Sequence, residues 1–250
     1  MIRKPDLRTA IASSKTKQQY VNRLFETIAP AYDFFTRFFS YGMDRRWKRR
    51  LLRTLCLKGD ERALDVACGT GDITFAIAER LDSGSVCGLD ITDGMLAIAR
   101  RKLLARRALH IAFCRADAMR LPLSNDSVDC VACGYALRNV PDVENLLREV
   151  LRVLKPGGRF SSLDFGIPRL RPYRWLYMRY LFIAGSAVGY LLHRDADTYR
   201  YIPESLRLYP GQVGVRALMD KVGFVETGFE EFGGGIMAIN YGAKRTDRPS

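Results

Sequence analysis

Two glycines between an apolar run and an acidic residue are the part of this chain best suited to bind a ligand. The stretch Leu64–Ile73 reads LDVACGTGDI, which predicts a buried strand, a tight turn and the start of a helix. Gly69 and Gly71 lack a Cβ, so a ligand can approach the bare backbone of the turn. Asp90 follows Gly71 by 19 residues, after the apolar run 86–89. A carboxylate at that place can accept hydrogen bonds from both hydroxyls of a ribose.

The residues of the turn favour one class of nucleoside ligand. A dinucleotide site calls for a third glycine near position 74, where Thr74 stands, and it places a pyrophosphate beside Asp72. Those like charges would repel each other. S-adenosylmethionine (SAM) has no phosphate and carries an ammonium and a sulfonium group, so nearby acids attract it. The sequence therefore predicts a SAM site. The alternative is an ordinary strand-to-helix turn in which Asp72 and Asp90 only cap helices.

Polar residues also follow the third and fourth predicted strands. After the third, the Asp117 carboxylate can accept from the amino group of adenine and the Ala118 amide can donate to a ring nitrogen; alone, Asp117 would be a helix cap. After the fourth come Arg138 and Asn139, which could hold an oxygen of a substrate. A structural salt bridge is the alternative for Arg138. Cys133 has no recognisable base nearby, so we do not predict a nucleophile there.

An alternation of strands and helices must position these residues. Strands are predicted over 62–67, 85–90, 109–114, 128–134 and 158–165, with helices over 71–82, 93–107 and 142–154 between them. This order indicates a parallel sheet that binds its ligand at the carboxyl ends of the strands. A further helix over 212–222 is followed by a predicted hairpin, 224–232 and 236–241, around three glycines.

Three segments fall outside this alternation. Residues 1–16 are charged and aperiodic, which predicts a mobile basic tail, and 17–250 are expected to form a single domain. Apolar spacing predicts N-terminal helices within 17–57, interrupted at Pro30. Residues 166–210 are rich in aromatics and arginines and are expected to form an inserted lid.

The net charge of +13 is concentrated near the N-terminus, where residues 1–53 hold 13 Lys or Arg and four acidic residues. This asymmetry indicates an acidic partner, either a nucleic acid or an anionic membrane surface. A solvated basic face is the alternative. No RNA-binding module is recognisable, so a nucleic acid is not favoured.

The cysteines, the N-terminus and the apolar runs indicate whether the chain binds zinc, where it is located and whether it spans a membrane. Cys130 and Cys133 have metal-like spacing, but there is no second pair and the chain has only two histidines, so we predict no zinc site. The charged N-terminus does not predict a signal peptide, which favours the cytoplasm. The longest uncharged run, 180–192, has 13 residues against the about 20 needed to span a membrane. It predicts a buried or interfacial helix.

Four segments resemble the UbiE-type family, the C-methyltransferases of menaquinone and ubiquinone biosynthesis. They are Ala31–Asp33 with Ser40–Lys48, Asp65–Asp72, Leu137–Val140 with Arg152–Gly158, and Tyr201–Ser205. The resemblance runs from about residue 18 to 245. It implies an α/β fold of the class I SAM-dependent methyltransferases. This is a Rossmann-like, mostly parallel seven-stranded sheet with a C-terminal antiparallel hairpin, an N-terminal helical extension and an inserted lid. The candidate cofactor-binding residues are Asp65, Gly69, Thr70, Gly71, Asp90, Asp117, Ala118 and Gly134.

The chain departs from the family pattern at several positions near these motifs. Gly134 stands where the family usually has Ser, Asp44 where it has His, and Asp164 where it has Glu. The Met-Asn pair that usually follows Tyr-Asp is replaced at 34–36 by Phe-Phe-Thr.

The resemblance implies methyl transfer from SAM to a ring carbon of a prenylated hydroquinone, most specifically demethylmenaquinol. Such a carbon is a weak nucleophile until loss of a hydroxyl proton pushes electron density onto it. Arg138 would stabilise the resulting phenolate and Asn139 would orient it or a water. Tyr32 and Asp33 are candidates to complete the proton transfer through water. These four are the candidate catalytic residues.

Other functions stay open at this point. They are the benzoquinol step of ubiquinone synthesis, methylation of a natural-product phenol, RNA methylation, and a catalytically silent SAM-binding partner in a quinone-synthesis assembly. The expected partners are a lipid-soluble quinol and, peripherally, the anionic inner face of the membrane, and a homo-oligomer is left open.

Overall fold

Seven strands form one sheet at the centre of the computed structural model, which describes residues 14–33, 36, 40, 42–106, 108, 110–193 and 197–246. The strands are β1 Arg62–Val66, β2 Ser85–Asp90, β3 Ile111–Arg115, β4 Val128–Gly134, β5 Leu154–Phe165, β6 Val225–Phe232 and β7 Met237–Ala243. Their order across the sheet is β3-β2-β1-β4-β5-β7-β6. The first five are parallel, and β7 lies antiparallel to both β5 and β6. The predicted sheet and hairpin are confirmed.

Helices cover both faces of the sheet. They are α1 Ser14–Ile28, α2 Asp44–Thr54, α3 Asp72–Ala78, α4 Asp93–Arg106, α5 Val143–Val153, α6 Arg171–His193, α7 Asp197–Leu208 and α8 Gly211–Val222. A short 3-10 turn, Ala29–Ala31, follows α1 where Pro30 ends the helix. The Asp142 side chain caps α5 by accepting a hydrogen bond from the Asn145 amide at 3.0 Å.

The central strands are apolar on both faces because the sheet has a core on each side. In β1, Leu64 and Val66 pack into one core and Ala63 into the other, which follows from the alternation of side chains along a strand. Cys130 and Cys133 of β4 likewise belong to opposite cores, so they cannot bind one metal ion. Among the described residues, no three metal-ligating side chains cluster.

Most element boundaries lie within one or two residues of the sequence predictions, and two of them differ by four residues. Helix α3 ends at Ala78 instead of 82, because the Arg80 and Leu81 amides donate to the Ile77 and Ala78 carbonyls in tighter turns. Strand β5 begins at Leu154 instead of 158, because Leu154 already pairs with Val128 before the register of β4 and β5 shifts. The Lys-Pro-Gly-Gly turn therefore lies within the strand, as a bulge.

The segment predicted to be a lid, 166–210, contains helices α6 and α7, which pack against each other. None of the helices within the described ranges is long and apolar enough to cross a membrane. Residues 1–13 of the predicted tail, 1–16, are not among the described residues. The last three residues of that segment, 14–16, belong to α1, which begins at Ser14.

Candidate active site

The turn between β1 and α3 has the geometry that its glycines predict. Gly69 has φ 56° and Gly71 has φ 86°, both in the left-handed region that favours glycine. A Cβ on Gly71 would lie 2.8 Å from Cζ of Phe113, so space as well as conformation requires glycine there. The Gly71 amide donates to the Cys68 carbonyl at 2.9 Å. The turn is therefore tight, with bare backbone at its tip.

Asp90 at the end of β2 holds this turn in place. One carboxylate oxygen accepts from the Gly69 amide and the other from the Thr92 amide, each at 2.8 Å. The side chain is buried, and burial raises the pKa of Asp90 although both amides oppose the shift. Because each carboxylate oxygen has a second lone pair, Asp90 can still accept hydrogen bonds from two hydroxyls of a ligand.

A cleft of about 710 Å³ opens in front of Gly69 and Asp90, and we call it the cofactor cleft. The ends of four strands and one face of α1 form its walls. It brings together most of the residues predicted from the sequence, because parallel strands end at the same edge of a sheet. The predicted residues that line it are Gly69, Asp90, Asp117, Ala118, Gly134, Asn139 and Tyr32.

The chemistry of the cleft fits SAM. The Oδ1 of Asn139 is buried and has no hydrogen-bond partner among the described residues, while its Nδ2 donates to the Tyr135 carbonyl at 2.7 Å. An unpaired acceptor suits a cationic ligand. None of the described residues that line the cleft is Lys or Arg, so it offers no counter-charge to a pyrophosphate. Apolar walls from Ile91 and Met95 complete a site for a nucleoside.

Three of the predicted cofactor residues shape the turn without lining the cleft. Asp65 is fully buried, accepts a hydrogen bond from the Thr74 hydroxyl at 2.6 Å, and burial raises its pKa to about 7. The Thr70 hydroxyl donates to Asp33 at 2.6 Å. Gly71 packs against Phe113.

A chain of alternating charges ties the N-terminal extension to the turn. The Lys102 ammonium lies 2.7 Å from Asp33 and 3.0 Å from Asp72, and the Lys48 ammonium lies 2.9 Å from Asp72 and 3.3 Å from Asp44. Burial opposes ionisation of Asp72, but the two ammonium groups outweigh it and lower the pKa of Asp72. Asp72 thus holds two lysines and does not face the cofactor cleft.

A second cavity of about 680 Å³ adjoins the cofactor cleft, and we call it the acceptor cavity. The two share Phe25, Tyr32 and Tyr135, so these aromatic rings stand where they meet. Among the described residues that line the acceptor cavity, Arg138 is the one charged side chain. Most of the remaining wall is apolar or aromatic. A single guanidinium in such a wall suits an apolar ligand with an anionic or polar oxygen.

Arg138 forms a buried ion pair with Asp164. Its guanidinium also donates to the Tyr135 carbonyl at 3.2 Å and lies 4.6 Å from the centre of the Phe165 ring. Asp164 is occupied as well, because it accepts from the Phe165 amide at 2.8 Å. The Nε of Arg138 has no partner among the described residues. The salt bridge predicted as the alternative for Arg138 is therefore present, and the residue also lines the acceptor cavity.

The two remaining predicted catalytic residues differ in placement. Tyr32 stands at the junction of cleft and cavity, and burial raises its pKa to about 12, so it is protonated at neutral pH. Asp33 lines neither space, because its carboxylate is held by Thr70 and Lys102. Sequence reasoning also assigned no role to Tyr135 or Tyr201, which line the acceptor cavity. Tyr201 lies in a motif that carried the family resemblance, which is the one sequence pattern that pointed to it.

An apolar groove of about 950 Å³ continues from the acceptor cavity to the surface of α6. The two spaces share Trp47, Phe165 and Met237. Leu176 and Tyr180 form the outer wall, and both are exposed. A path lined by apolar side chains therefore runs from the cofactor cleft to the protein surface.

Comparison with known proteins identifies the family of the chain. The model of the ubiE/COQ5 methyltransferase family matches residues 13–244. The chain is 36% identical to a ubiquinone/menaquinone biosynthesis C-methyltransferase of Proteus mirabilis, over 91% of this chain and 92% of that protein. It is 38% identical to one of Cellvibrio japonicus with the same coverage.

Solved structures show the fold. A SAM-dependent methyltransferase of Thermotoga maritima matches with a TM-score of 0.63 and 20% identity, over 90% of this chain and all of that one. Phosphoethanolamine N-methyltransferase 2 of Haemonchus contortus, solved with SAM, matches with a TM-score of 0.62 and 15% identity, over 80% of this chain and 53% of that one. The predicted class I methyltransferase fold is confirmed.

Proposed function

The chain belongs to the ubiE/COQ5 methyltransferase family, and from this premise we propose that it methylates a ring carbon of a prenylated hydroquinone, converting demethylmenaquinol to menaquinol. The enzyme class and the cofactor predicted from the sequence are confirmed, since the protein is a SAM-dependent methyltransferase. The observation that carries the choice of acceptor is the lone Arg138 guanidinium in an apolar cavity that opens into the cofactor cleft.

The cofactor cleft supplies a partner for each part of SAM. Asp90 would accept from the ribose hydroxyls, Asp117 from the adenine amino group, and the Ala118 amide would donate to the adenine ring. Asn139 Oδ1 would face the cationic end, because this acceptor has no partner within the described residues. When bound, SAM supplies a methyl group activated by a positively charged sulfur. The turn residues Asp65, Thr70 and Gly71 would act by holding the backbone in place.

The acceptor cavity would activate the aromatic ring. In an apolar wall, the guanidinium of Arg138 stabilises a phenolate far more than water-exposed charge would, because the surrounding dielectric is low. The ion pair with Asp164 fixes the guanidinium before the acceptor binds, so no reorganisation is needed. A phenolate next to Arg138 places electron density on the neighbouring ring carbon, which must lie near Tyr32 and Tyr135 to meet the methyl group.

The proton of the acceptor hydroxyl would leave through Tyr32 and water. Because its pKa is raised to about 12, Tyr32 relays a proton and does not remove one by itself. Asp33 is the proposed final acceptor. Its contacts with Thr70 and Lys102 hold its carboxylate at a fixed distance from the junction.

The groove along α6 would shelter the prenyl tail and meet the membrane. Exposed apolar residues recur along α6 at Leu176, Tyr180, Ile183 and Tyr190, on one face of the helix. The 23 residues of α6 include three arginines and no acidic residue. This pattern is typical of a helix that lies in the interface of an anionic bilayer, where a lipid-soluble quinol is found.

Assay of the purified enzyme with labelled SAM and a panel of acceptors tests the proposal. The panel contains a short-chain demethylmenaquinol, the matching benzoquinol, an unprenylated phenol and total RNA. We expect the naphthoquinol to be methylated fastest. Faster methylation of the benzoquinol would assign the enzyme to ubiquinone synthesis, whereas transfer to RNA alone, or to none of the four, would overturn the proposal.

A further inference from the structure

Two tyrosine hydroxyls beside the acceptor cavity lack a hydrogen-bond partner among the described residues. They belong to Tyr135 and Tyr201, and both residues line the cavity together with Arg138. The Nε of Arg138 is a third buried polar atom there for which the described ranges of the chain provide no partner. Buried polar groups in proteins are almost always paired, so an unpaired one needs an explanation. Three of them around one cavity indicate a ligand with more than one oxygen.

Tyr135 is held by its backbone, not by its hydroxyl. Its φ is 59°, a left-handed conformation that costs energy for a residue other than glycine. The amide donates to the Leu163 carbonyl at 2.6 Å, and its carbonyl accepts from Asn139 Nδ2 at 2.7 Å. Strain maintained by these contacts places the ring at the junction of cleft and cavity and leaves the hydroxyl free.

Tyr201 is held by packing. It lies on α7, is 2% exposed, and its ring centre is 5.7 Å from that of Tyr20 on α1. Burial raises the pKa of Tyr201 and of Tyr135, so both phenols stay protonated and can donate a hydrogen bond. Tyr201 also lies in the one family-like motif that the proposed roles above do not use.

We propose that the hydroxyls of Tyr135 and Tyr201, together with Arg138 Nε, bind the two ring oxygens of the acceptor and select a dihydroxylated aromatic over a monohydroxylated one. This inference rests on the proposed function and adds the residues that recognise the second oxygen. A monohydroxylated ring leaves at least one of the buried donors unpaired, which a site built for hydrogen bonds rejects.

Two acceptors with the same ring and tail test this selection. One is a prenylated 1,4-dihydroxynaphthalene, and the other lacks the second hydroxyl. In Tyr201→Phe and Tyr135→Phe we expect kcat/KM for the first acceptor to fall about 5- to 10-fold, the ratio for one neutral hydrogen bond. The value for the second acceptor should change little. An equal fall for both acceptors, or no fall for either, would overturn the inference.

Thermal unfolding of the free protein provides a readout that a structural role would move. Since neither hydroxyl has a hydrogen-bond partner in the part of the chain that the structure describes, neither Phe variant should have a lower Tm than the unmodified protein. Tyr177→Phe is the matched control, because the Tyr177 hydroxyl is buried and donates to the Ile236 carbonyl at 3.2 Å. It should lower Tm and leave the ratio between the two acceptors unchanged. A fall in Tm for Tyr201→Phe as large as for the control would contradict the inference.

Ligand binding separates this inference from the proposed function. If the unmodified enzyme methylates neither acceptor, the proposed function fails. The inference then predicts that the dihydroxylated compound still raises Tm more than the monohydroxylated one, and that Tyr201→Phe removes the difference. Equal stabilisation by both compounds would show that the inference fails as well.

Discussion

The cofactor cleft and the acceptor cavity share three aromatic residues but are built in different ways. The cleft is formed by short loops that directly follow β1 to β4 and is closed by one face of α1, and backbone amides and Asp90 define its loop side. The cavity draws its wall from α1, α2, the loop after β4, α7 and β7, which are far apart in the sequence. The geometry of the cofactor cleft therefore follows mainly from the backbone of the fold. The acceptor cavity depends on the particular side chains that distant elements contribute to it.

The difference assigns cofactor affinity to one region and acceptor chemistry to the other. Substitutions in the acceptor cavity should therefore alter turnover without changing SAM affinity. Substitutions in the cofactor cleft should change SAM affinity.

The largest effect is expected at Arg138. Removing the guanidinium would leave the buried Asp164 carboxylate without its ion-pair partner and destabilise the fold by about 3–5 kcal/mol. Arg138→Lys keeps the charge but loses the planar fork, so turnover should fall about 100-fold while the protein stays folded and SAM affinity is unchanged. Arg148→Lys, at an exposed helix pair with Glu144, is the control and should change nothing. A parallel loss of SAM affinity would make Arg138 structural.

The next effect is expected in the cleft. Asp90→Ala should weaken SAM binding by about 1.5–3 kcal/mol, because charge-assisted hydrogen bonds to the ribose and to the Gly69 amide are lost. Asp93→Ala removes an exposed acid paired with Arg115 and should leave the affinity as it is. Calorimetry measures both. An unchanged affinity in folded Asp90→Ala would remove Asp90 from the cofactor site.

Asp65, which is buried next to the turn between β1 and α3, should make the free energy of unfolding depend on pH. Burial raises the pKa of Asp65 to about 7, so the folded protein binds a proton that the unfolded chain releases near pH 4. The free energy of unfolding should therefore fall as pH rises from about 4 to 7, by up to about 1.4 kcal/mol per pH unit. In Asp65→Asn this contribution is absent. Denaturant titrations at several pH values that give parallel curves for both proteins would contradict it.

The cleft was predictable from the sequence because its parts are local. Glycine spacing and the acid after each strand lie within a few residues of a strand end, and the parallel sheet brings those ends together. The parallel pairing of β1 to β5 follows from the alternation of strands and helices. The bulge in β5 did not, because it depends on pairing with β4 at Val128.

The cavity was only partly predictable. Arg138 was found because it follows a strand, but its pairing with Asp164 needs the register of β4 and β5, in which Gly134 stands opposite Leu163. Tyr201 and Trp47 reach the cavity from helices, and nothing local in the sequence shows that they meet. Asp33 was predicted as a candidate for proton transfer, and the sequence did not show that its carboxylate contacts Lys102 and Thr70 from distant elements.

The smallest effect is expected at the surface. Exchange of Arg45, Arg46 and Arg49 on α2 for Gln should weaken binding to anionic liposomes by up to about 1 kcal/mol per residue that reaches the bilayer. Salt should weaken it too, since exposed charges are screened over about 10 Å at 0.1 M. Exchange of Arg101, Arg148 and Arg216, exposed on other helices, is the charge-matched control. Binding to liposomes is measured by sedimentation. An equal loss of binding for the α2 variant and the control variant would show that net charge alone determines binding and would contradict a membrane-binding surface on α2.

We propose that the acceptor cavity directs the methyl group to a ring carbon of the acceptor. The position of the new methyl group in the product formed from short-chain demethylmenaquinol and SAM labelled at its methyl carbon tests this most directly. The account predicts a carbon signal in the NMR spectrum that belongs to a methyl group on the ring carbon next to the phenolic oxygen. A methyl group on oxygen would contradict it.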